Sequence, residues 1–364
     1  MSKSANTYLP EYLVYPGDVV IDYLESLGMT QVDLAMRTGL AKKTINEIVK
    51  GKAPITSDTA IKFERVLGRP AHFWSNLEIQ FQEDKARISE SVRLLGYVEW
   101  LSKVPVLAMV KNGWIKSFKD KAAQLDEVLN FFGVVSPEQW AVVWNGQQQV
   151  AYRQTKRFAT CAESVSAWLR KGEIEAQQIQ CAPFDKKRFQ EALDFIKKLT
   201  VEKPIIFQQQ VKKLCAAAGV AVVFVPELPK TGVCGATRWL GDKAVIQLSL
   251  RYKSNDHLWF TFFHEAGHIL KHGRKDIFIE GKEFDGKKEE EANAFARDHL
   301  IPPTSFRHFL AQWDRSLNGI ERFADQIGVA PGIVVGRLQH DNRLQKTHGN
   351  KLKIFYRWAK MGAS

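Results

Sequence analysis

The run Trp-Phe-Thr-Phe-Phe-His-Glu-Ala-Gly-His-Ile-Leu at residues 259–270 places His264, Glu265 and His268 within an otherwise apolar segment. Two histidines four residues apart lie on the same face of a helix, close enough to bind one tetrahedral Zn²⁺. The glutamate between them is the residue type that takes a proton from metal-bound water. A helix that is apolar on nearly every side has little reason to carry these polar groups unless they bind a ligand. The segment therefore predicts a zinc site with Glu265 as its general base.

The residues on either side of this segment predict how the surrounding fold is built. Ser254 or Asn255 can cap the start of the helix, and Gly273 can end it. Upstream, the hydrophobic pattern predicts one helix, one buried strand and a β-hairpin around the Gly241-Asp242 turn. These elements are expected at residues 206–218, 220–226, 237–240 and 245–250. A small sheet packed on such a helix is the minimal catalytic unit of zincin peptidases, so we expect a small α+β domain here.

A catalytic zinc site needs a third protein ligand and an open fourth position. No second histidine cluster follows the motif, so the third ligand should be a carboxylate on the following helix, at Glu289, Glu290 or Glu291. The buried stripe of that helix is marked by Ala292, Ala296 and Leu300. Glu289 lies one turn before Ala292 on this stripe. Glu291 lies at the edge of the stripe, and Glu290 points to the opposite side of the helix. Glu289 is therefore the first choice and Glu291 the second, which makes the site a gluzincin type.

Several other side chains near the motif also need an interpretation. Asn293 lies four residues after Glu289 and can orient a ligating histidine as an outer hydrogen-bond partner. His272 continues the four-residue spacing after His268, but we expect it at the helix end near solvent rather than on the metal. Cys234 is expected to be a small buried residue rather than a thiolate that shields the zinc. The candidate donors for an oxyanion, which the sequence does not rank, are Arg251, Tyr252, His257 and His299.

A second pattern, from Pro16 to about Phe81, predicts a row of short helices. Thr30 can cap a helix at residues 31–37, and a second helix covers residues 41–49. Between them, Thr38-Gly39-Leu40 predicts a tight turn. Two helices joined by a short turn that contains glycine are typical of a helix-turn-helix motif.

The outer side of the second helix carries side chains suited to DNA. Ile45, Ile48 and Val49 face inward, which leaves the polar residues outside. Lysine and threonine suit phosphates and guanine edges, and asparagine can pair with adenine. The predicted DNA-contacting residues are Gln31, Lys42, Lys43, Thr44 and Asn46. The alternative is an ordinary helical hairpin with a solvated basic face.

Length and patterning divide the chain into three parts. With 364 residues, the chain is too long for one ordinary core. We expect a helix-turn-helix domain at 1–84, a helical middle segment of unknown role at 85–200, and a zinc peptidase-like domain with a helical tail at 201–364. The aromatic residues of the middle segment are expected to be core packing. The predicted fold class is multidomain and mainly α, with one small α+β domain.

Composition and cysteine usage indicate where such a chain works. The net charge of +12 favours a polyanionic partner. The first residues lack the apolar core of a secretory signal, and no apolar stretch is long enough to span a bilayer. The four cysteines lie far apart without a Cys-x-x-Cys spacing, which fits reduced thiols. We therefore expect a cytoplasmic protein with no membrane partner.

The N-terminal part resembles the HigA-type antitoxins of the XRE class. The resemblance covers nearly the whole module and is carried by Pro16-Gly-Asp, Leu27-Gly-Met-Thr-Gln, Leu40-Ala-Lys-Lys-Thr-Ile-Asn-Glu-Ile, Gly51-Lys-Ala-Pro-Ile-Thr and Leu67-Gly-Arg-Pro-Ala-His-Phe-Trp. It implies sequence-specific binding to double-stranded operator DNA, usually as a homodimer. Such dimers place their recognition helices in major grooves about one DNA turn apart.

Residues from about 205 to 305 resemble the ImmA/IrrE family of metallo-endopeptidases. The matching residues are Pro226-Glu-Leu-Pro, Gly235-Ala-Thr-Arg-Trp-Leu, Ile246-Gln-Leu-Ser-Leu-Arg, His264-Glu-Ala-Gly-His, Glu289-x-Glu-Ala-Asn-x-Phe-Ala and Leu300-Ile-Pro. The resemblance implies that His264, His268 and Glu289 are zinc ligands and that Glu265 is the general base. Family members, often fused to DNA-binding modules, cleave repressors or related regulators. The helix pair at 320–339 looks like the tail common to these fused proteins.

Three functions are compatible with these residues. The first is a DNA-binding transcription regulator with a zinc-dependent endopeptidase that cleaves a regulatory protein. The second is a HigA-like antitoxin or repressor whose peptidase-like domain binds a toxin or signal without cleavage. The third is a structural zinc site, but such sites close the fourth position with Cys or His, and none stands at a suitable spacing. The first is the prediction, with Zn²⁺ as the cofactor.

Overall fold

The computed structural model describes residues 13–145, 161–273, 278–279 and 286–359. The chain divides into two compact units, Met1–Val98 and Glu99–Ser364. Both units are built mainly from helices, and the second contains a small sheet. The predicted fold class is therefore confirmed. Within the described residues, no helix combines the length and the apolar character needed to cross a membrane.

The first unit consists of short helices, and one long one, around an apolar core. These are α1 (Pro16–Ser26), α2 (Gln31–Thr38), α3 (Lys42–Val49), α4 (Ser57–Leu67) and α5 (Ala71–Leu95). Leu34 of α2, Ile45 of α3 and Trp74 of α5 are fully buried, because the apolar positions of each helix recur on one face. Helices α2 and α3 form the predicted helix-turn-helix motif.

Local chemistry at both ends of α2 explains this motif. The Asp33 amide donates to the Thr30 hydroxyl over 3.1 Å, and the Thr30 amide donates to Asp33 Oδ2 over 3.0 Å. This reciprocal capping box satisfies two backbone donors at the helix start. Gly39 follows the helix with a φ of +68°, a left-handed conformation that glycine adopts at least cost. The chain is extended at Ala41, and α3 begins at Lys42.

The second unit contains a four-stranded sheet and eleven α-helices among the residues that the structure describes. The helices are α6 (Val106–Lys111), α7 (Lys121–Phe132), α8 (Pro137–Trp140, continued by a π-helical turn over Ala141–Asn145), α9 (Ala162–Gln177), α10 (Lys186–Lys198), α11 (Pro204–Ala217), α12 (Asn255–Lys271), α13 (Gly286–Leu300), α14 (Pro303–Gln312), α15 (Leu317–Ile327) and α16 (Pro331–His340). The strands are β1 (Val220–Phe224), β2 (Gly235–Leu240), β3 (Lys243–Leu248) and β4 (Phe278–Ile279). The strand order is β1-β3-β2-β4, with β1 parallel to β3 and the other two pairs antiparallel.

Strands β1, β2 and β3 are largely buried, and their successive side chains point to opposite faces of the sheet. On one face, the Thr237 side chain of β2 bonds to α12. On the other face, Arg238 donates to the Leu169 carbonyl oxygen of α9 over 2.6 Å. Gln247 of β3 also donates to α9, at the Trp168 carbonyl oxygen, over 2.6 Å. Helix α9, for which the sequence suggests no role, is therefore one of the two layers that enclose the sheet.

The compact units and the predicted boundaries differ. Residue 84 lies inside α5, which is one continuous helix. Helices α9 and α10 of the predicted middle segment belong to the same compact unit as the sheet. The structure has two compact units. The division of the chain into three domains remains a prediction.

Helices α15 and α16 repeat the local geometry of α2 and α3 in a different setting. Gly328 follows α15 with a φ of +69°. Ala330 then has a φ of −65° and a ψ of 139°, and Ala41 in the first unit has −64° and 140°. Helix α16 is buried, however, and its Gly332 packs against the Asn255 side chain at the start of α12. Because this second helix lies in the core, it cannot enter a DNA groove.

The residues after α16 close over the start of α12. The Asn255 amide donates to the Ile354 carbonyl oxygen over 2.8 Å, and the Ile354 amide donates to Asn255 Oδ1 over 3.1 Å. Beside them, Lys353 Nζ lies 2.7 Å from Asp256 Oδ2, and the two side chains are 8% and 9% exposed. Burial raises the pKa of Asp256, but hydrogen bonds, chiefly from His257 and Lys353, lower it more, to well below its usual value.

Replacing Asp256 by asparagine is expected to destabilise the second unit in a pH-dependent way. In the unfolded chain this carboxyl takes up a proton at about pH 4, whereas in the folded protein it stays ionised to lower pH. Its stabilisation is therefore complete above about pH 5, begins to fall as the pH drops below about 4, and is lost as the pH passes through the lower pKa of the folded state. Urea unfolding should show the wild type to be more stable by about 3 kcal/mol at neutral pH, with a difference that shrinks as the pH falls. A difference independent of pH would contradict this account.

Candidate metal centre

Helix α12 holds His264, Glu265 and His268 inside the protein rather than at its surface. Their exposed fractions are 1%, 0% and 2%. The two imidazole rings lie one helical turn apart, with their centroids 4.6 Å and their Nε2 atoms 2.9 Å from each other. Ser254 occupies the position before the helix and His272 the position after it. The predicted helix therefore exists at the predicted place.

Helix α13 brings Glu289 to the two histidines. Glu289 Oε2 lies 3.2 Å from His264 Nε2, and Glu289 Oε1 lies 3.4 Å from His268 Nε2. This approach depends on Gly267, which faces α13. A Cβ atom on Gly267 would sit only 3.2 Å from the Cα atom of Ala292, so the missing side chain lets the two helices pack closely.

These three side chains fit a zinc ion. One ligand atom from each of His264, His268 and Glu289 can be chosen so that all lie within 4.8 Å of one another. Zinc bonds of about 2.0–2.1 Å in a tetrahedron would separate the ligand atoms by about 3.3 Å. The two Nε2 atoms are 2.9 Å apart, and each histidine has one Glu289 oxygen close to it: Oε2 lies 3.2 Å from His264 Nε2, and Oε1 lies 3.4 Å from His268 Nε2. Two imidazoles and one carboxylate are also the ligand set of catalytic sites that keep a fourth position open.

The electrostatics of the cluster favour the protonation states that bind a metal. Burial raises the pKa of Glu289, but hydrogen bonds from His264 and His268 lower it more, to about 2. Burial also lowers the pKa of His268, against the raising effect of Glu289. A metal binds an ionised carboxylate and a neutral imidazole. The lowered pKa values of Glu289 and His268 therefore favour these two protonation states.

Each histidine also has a partner at its second ring nitrogen. His264 Nδ1 lies 2.9 Å from Asn293 Oδ1, so the structure brings together the pair that the sequence suggests. His268 Nδ1 lies 2.9 Å from His272 Nδ1. His272 lies at the helix end and outside the three-residue cluster, as expected, but its side chain is only 4% exposed rather than turned to solvent. The second ligand candidate, Glu291, lies outside the three-residue cluster, with its Oε2 atom 3.2 Å from His272 Nε2.

Strand β2 holds the Glu265 side chain, through two residues that the sequence does not single out. The Thr237 hydroxyl lies 2.6 Å from Glu265 Oε2 and donates to it. A Cβ atom on Gly235 would come within 2.7 Å of Glu265 Oε1, so the glycine leaves the space that this carboxylate occupies. The two residues stand at alternate positions of one strand, which places them on the same face of the sheet. That alternation is the signal that could have identified them.

A surface pocket lies next to Thr261, one turn before Glu265 on α12. It contains three of the candidate oxyanion donors, and its lining includes Cys234, Arg251, Tyr252 and His257. Cys234 is half-buried rather than buried. The fourth candidate, His299, instead stacks on Phe263 and Phe295, with centroid distances of 4.9 and 5.5 Å. The oxyanion donor therefore stays a prediction among these four residues.

In the first unit, α2 and α3 present the predicted DNA-contacting side chains. Lys42 and Lys43 are exposed, and Gln31, Thr44 and Asn46 are half-buried. Residues 1–98 contain twelve basic and twelve acidic residues, so the net charge of +12 lies in residues 99–364. DNA binding by this unit would therefore depend on where its lysines lie rather than on its net charge.

Comparison with known families matches two parts of the chain. Residues 20–74 match the helix-turn-helix family. Residues 216–339 match the IrrE N-terminal-like domain, a peptidase family. The second match includes the whole of α12 and α13, and hence every residue of the candidate metal centre.

Relatives of the N-terminal unit are found in several bacteria. The virulence-associated protein I of Dichelobacter nodosus is 30% identical over 82 residues, which are 21% of this chain and 76% of that protein. The uncharacterized HTH-type transcriptional regulator YddM of Escherichia coli K12 is 32% identical over 63 residues, which are 17% of this chain and 67% of that protein. The structure of Pseudomonas aeruginosa antitoxin HigA with the higBA promoter is 24% identical, with a TM-score of 0.22 over 22% of this chain and 90% of that one. This chain therefore belongs to the XRE-type helix-turn-helix proteins and carries, in its second unit, an IrrE/ImmA-like peptidase domain.

Proposed function

We propose that this protein is a DNA-binding transcription regulator whose second unit is a zinc-dependent endopeptidase that cleaves a regulatory protein. The observation that carries the proposal is the convergence of His264, His268 and Glu289, with the buried carboxylate of Glu265 on the same helix. The match of residues 216–339 to the IrrE N-terminal-like family supports the same chemistry.

The two histidines would hold the zinc ion through their Nε2 atoms, and Glu289 would hold it through its carboxylate. When bound, zinc supplies a Lewis acid that polarises a peptide carbonyl and increases the acidity of water. The residues around the ligands keep them in place: Asn293 contacts His264, and His272 contacts His268. Such outer partners set the orientation and the tautomer of a ligating histidine.

Glu265 would act first as a general base and then as a general acid. Its carboxylate takes a proton from the attacking water as the carbon–oxygen bond forms. The same proton then passes to the amine nitrogen as the peptide bond breaks. The Thr237 hydroxyl, 2.6 Å from Glu265 Oε2, orients the carboxylate for both transfers. Because Glu265 is fully buried, bulk water is excluded from them.

The full-length protein purified without chelators is expected to contain about one zinc per chain, because three preformed ligands suffice for a catalytic site. His268→Ala should lose most of this zinc. His340→Ala is the matched control, since the His340 side chain is 84% exposed on α16, and it should keep the wild-type content. Metal analysis by mass spectrometry measures all three proteins. A wild type without metal would contradict the proposed zinc site.

Glu265→Gln is expected to abolish cleavage while zinc stays bound, because the glutamine keeps the shape of the side chain but cannot take a proton. The measurement is a comparison of new protein N-termini in cells that express either form. Cleavage sites present with the wild type should be missing with the variant, and Glu290→Gln, at an exposed position, should behave as the wild type. Equal sets of cleavage sites in all three would favour the alternative, a repressor whose second unit binds a partner without cutting it.

We further infer that the first unit binds a double-stranded DNA operator as a homodimer, with α3 in the major groove. The exposed Lys42 and Lys43 would contact phosphates, while Gln31, Thr44 and Asn46 would meet base edges. A relative over this unit is named an HTH-type transcriptional regulator. Two copies would place their α3 helices about 34 Å apart on a palindromic site.

Lys42→Ala and Lys43→Ala are each expected to weaken operator binding and to reduce its salt dependence. A lost phosphate contact should lower the slope of log K against log salt by about 0.9. The DNA is an operator selected from random oligonucleotides by the full-length protein, and affinity is measured by fluorescence anisotropy at several salt concentrations. Lys62→Ala is the control, because Lys62 pairs with Asp58 on α4. An unchanged slope in both variants would show that α3 is not the recognition surface.

A further inference from the structure

We propose that His272 and Glu291 are positioning residues, which together hold His268 in the orientation and tautomer that bind the metal. The proposal rests on the proposed zinc site and adds a function for two residues outside its ligand set. His272 contacts His268, and Glu291 contacts His272, so the three side chains form a line that runs from the site toward the surface.

The contacts in this line are short and come from two helices. His268 Nδ1 lies 2.9 Å from His272 Nδ1. His272 Nε2 lies 3.2 Å from Glu291 Oε2. His272 follows the last residue of α12, whereas Glu291 lies on α13, two residues after Glu289. The line therefore ties together the two helices that supply the ligands.

The chemistry of a metal ligand determines where the protons must lie. A neutral imidazole carries one N–H, and the nitrogen that binds a metal cannot be the one that carries it. If His268 binds through Nε2, its Nδ1 carries the hydrogen and donates to His272 Nδ1. His272 must then carry its own hydrogen on Nε2, where it donates to Glu291 Oε2. Each donor in the line thus meets an acceptor, and the carboxylate accepts the last hydrogen bond.

The surroundings of His272 agree with this role. The chain leaves the helix at His272, which has an extended backbone with a φ of −115° and a ψ of 168°. Its side chain is nevertheless 4% exposed, whereas that of Glu291 is 42% exposed. A buried imidazole needs partners for its polar atoms, and among the described residues these include the ligand His268 and the carboxylate of Glu291. Asn293 contacts the other ligand, His264, with its Oδ1 atom 2.9 Å from His264 Nδ1.

The test is the zinc affinity of the full-length protein, measured by competition with a chromogenic chelator. His272→Leu removes the acceptor for His268 Nδ1 and is expected to weaken zinc binding about 10- to 100-fold. His272→Asn keeps an acceptor oxygen near the position of Nδ1 and should recover most of the affinity. Glu291→Gln also keeps an acceptor and should bind nearly as the wild type does, whereas Glu291→Ala should lie between. Glu290→Ala, at the exposed neighbouring position, is the control and should bind as the wild type.

Two further measurements separate positioning from ligation and from misfolding. The absorption spectrum of the cobalt-substituted protein should keep its intensity in His272→Asn and His272→Leu, because the ligand set is unchanged. Thermal unfolding of the metal-free forms should give similar midpoints for both variants. The half-exposed Glu291 offers a second series if either His272 variant fails to fold.

The outcomes separate the positioning role of His272 and Glu291 from the zinc site itself. If the wild type binds zinc tightly and His272→Leu binds it equally well, the positioning role is overturned and the zinc site is not. Equal losses in His272→Asn and His272→Leu, with folded metal-free proteins, would also overturn the positioning role, since an acceptor would then not matter. A wild type that binds no zinc would overturn the proposed function, and the positioning role of His272 and Glu291 with it.

Discussion

The close packing of α12 against α13 is the constraint on which the metal centre depends. Gly267 removes the side chain that would keep the helices apart, and Ala292 presents the smallest surface to it. The contact buries two imidazoles and brings one carboxylate to them. Polar groups are stable at such a place only when each has a partner. A metal ion can supply that partner for three of them at once, which gives the buried cluster a physical reason to exist.

Two glutamates near one another have different environments, and this difference separates their roles. Glu289 lies among imidazole nitrogens, which lower its pKa and suit it to hold a cation. Glu265, next to His264 on α12, accepts a hydrogen bond from a hydroxyl of β2 and occupies the space left by Gly235. The sheet thus contributes to the site without supplying a ligand. It positions the carboxylate that moves protons, while α13 positions the one that holds the metal.

The same local motif serves two purposes in the two units. Helices α2 and α3 meet across a left-handed glycine, and so do α15 and α16, with nearly equal backbone angles after the turn. In the first unit the second helix keeps an exposed side with Lys42 and Lys43. In the second unit it is buried, and Gly332 allows it to touch the start of α12. Exposure of the second helix, and not its geometry, decides whether such a pair is available to DNA.

Local periodicity made the main parts of the site predictable. The four-residue spacing of His264 and His268, and the alanine stripe after Glu289, identify three residues that the structure brings together, because helical periodicity is a property of a short segment. The helix-turn-helix motif was predictable from the sequence for the same reason. Contacts between distant segments could not be predicted from the sequence. These contacts are the packing of α9 on the sheet, the burial of α16, and the line from His268 through His272 to Glu291. They depend on which faces meet when the whole chain folds, and that choice is made by long-range packing rather than by any local pattern.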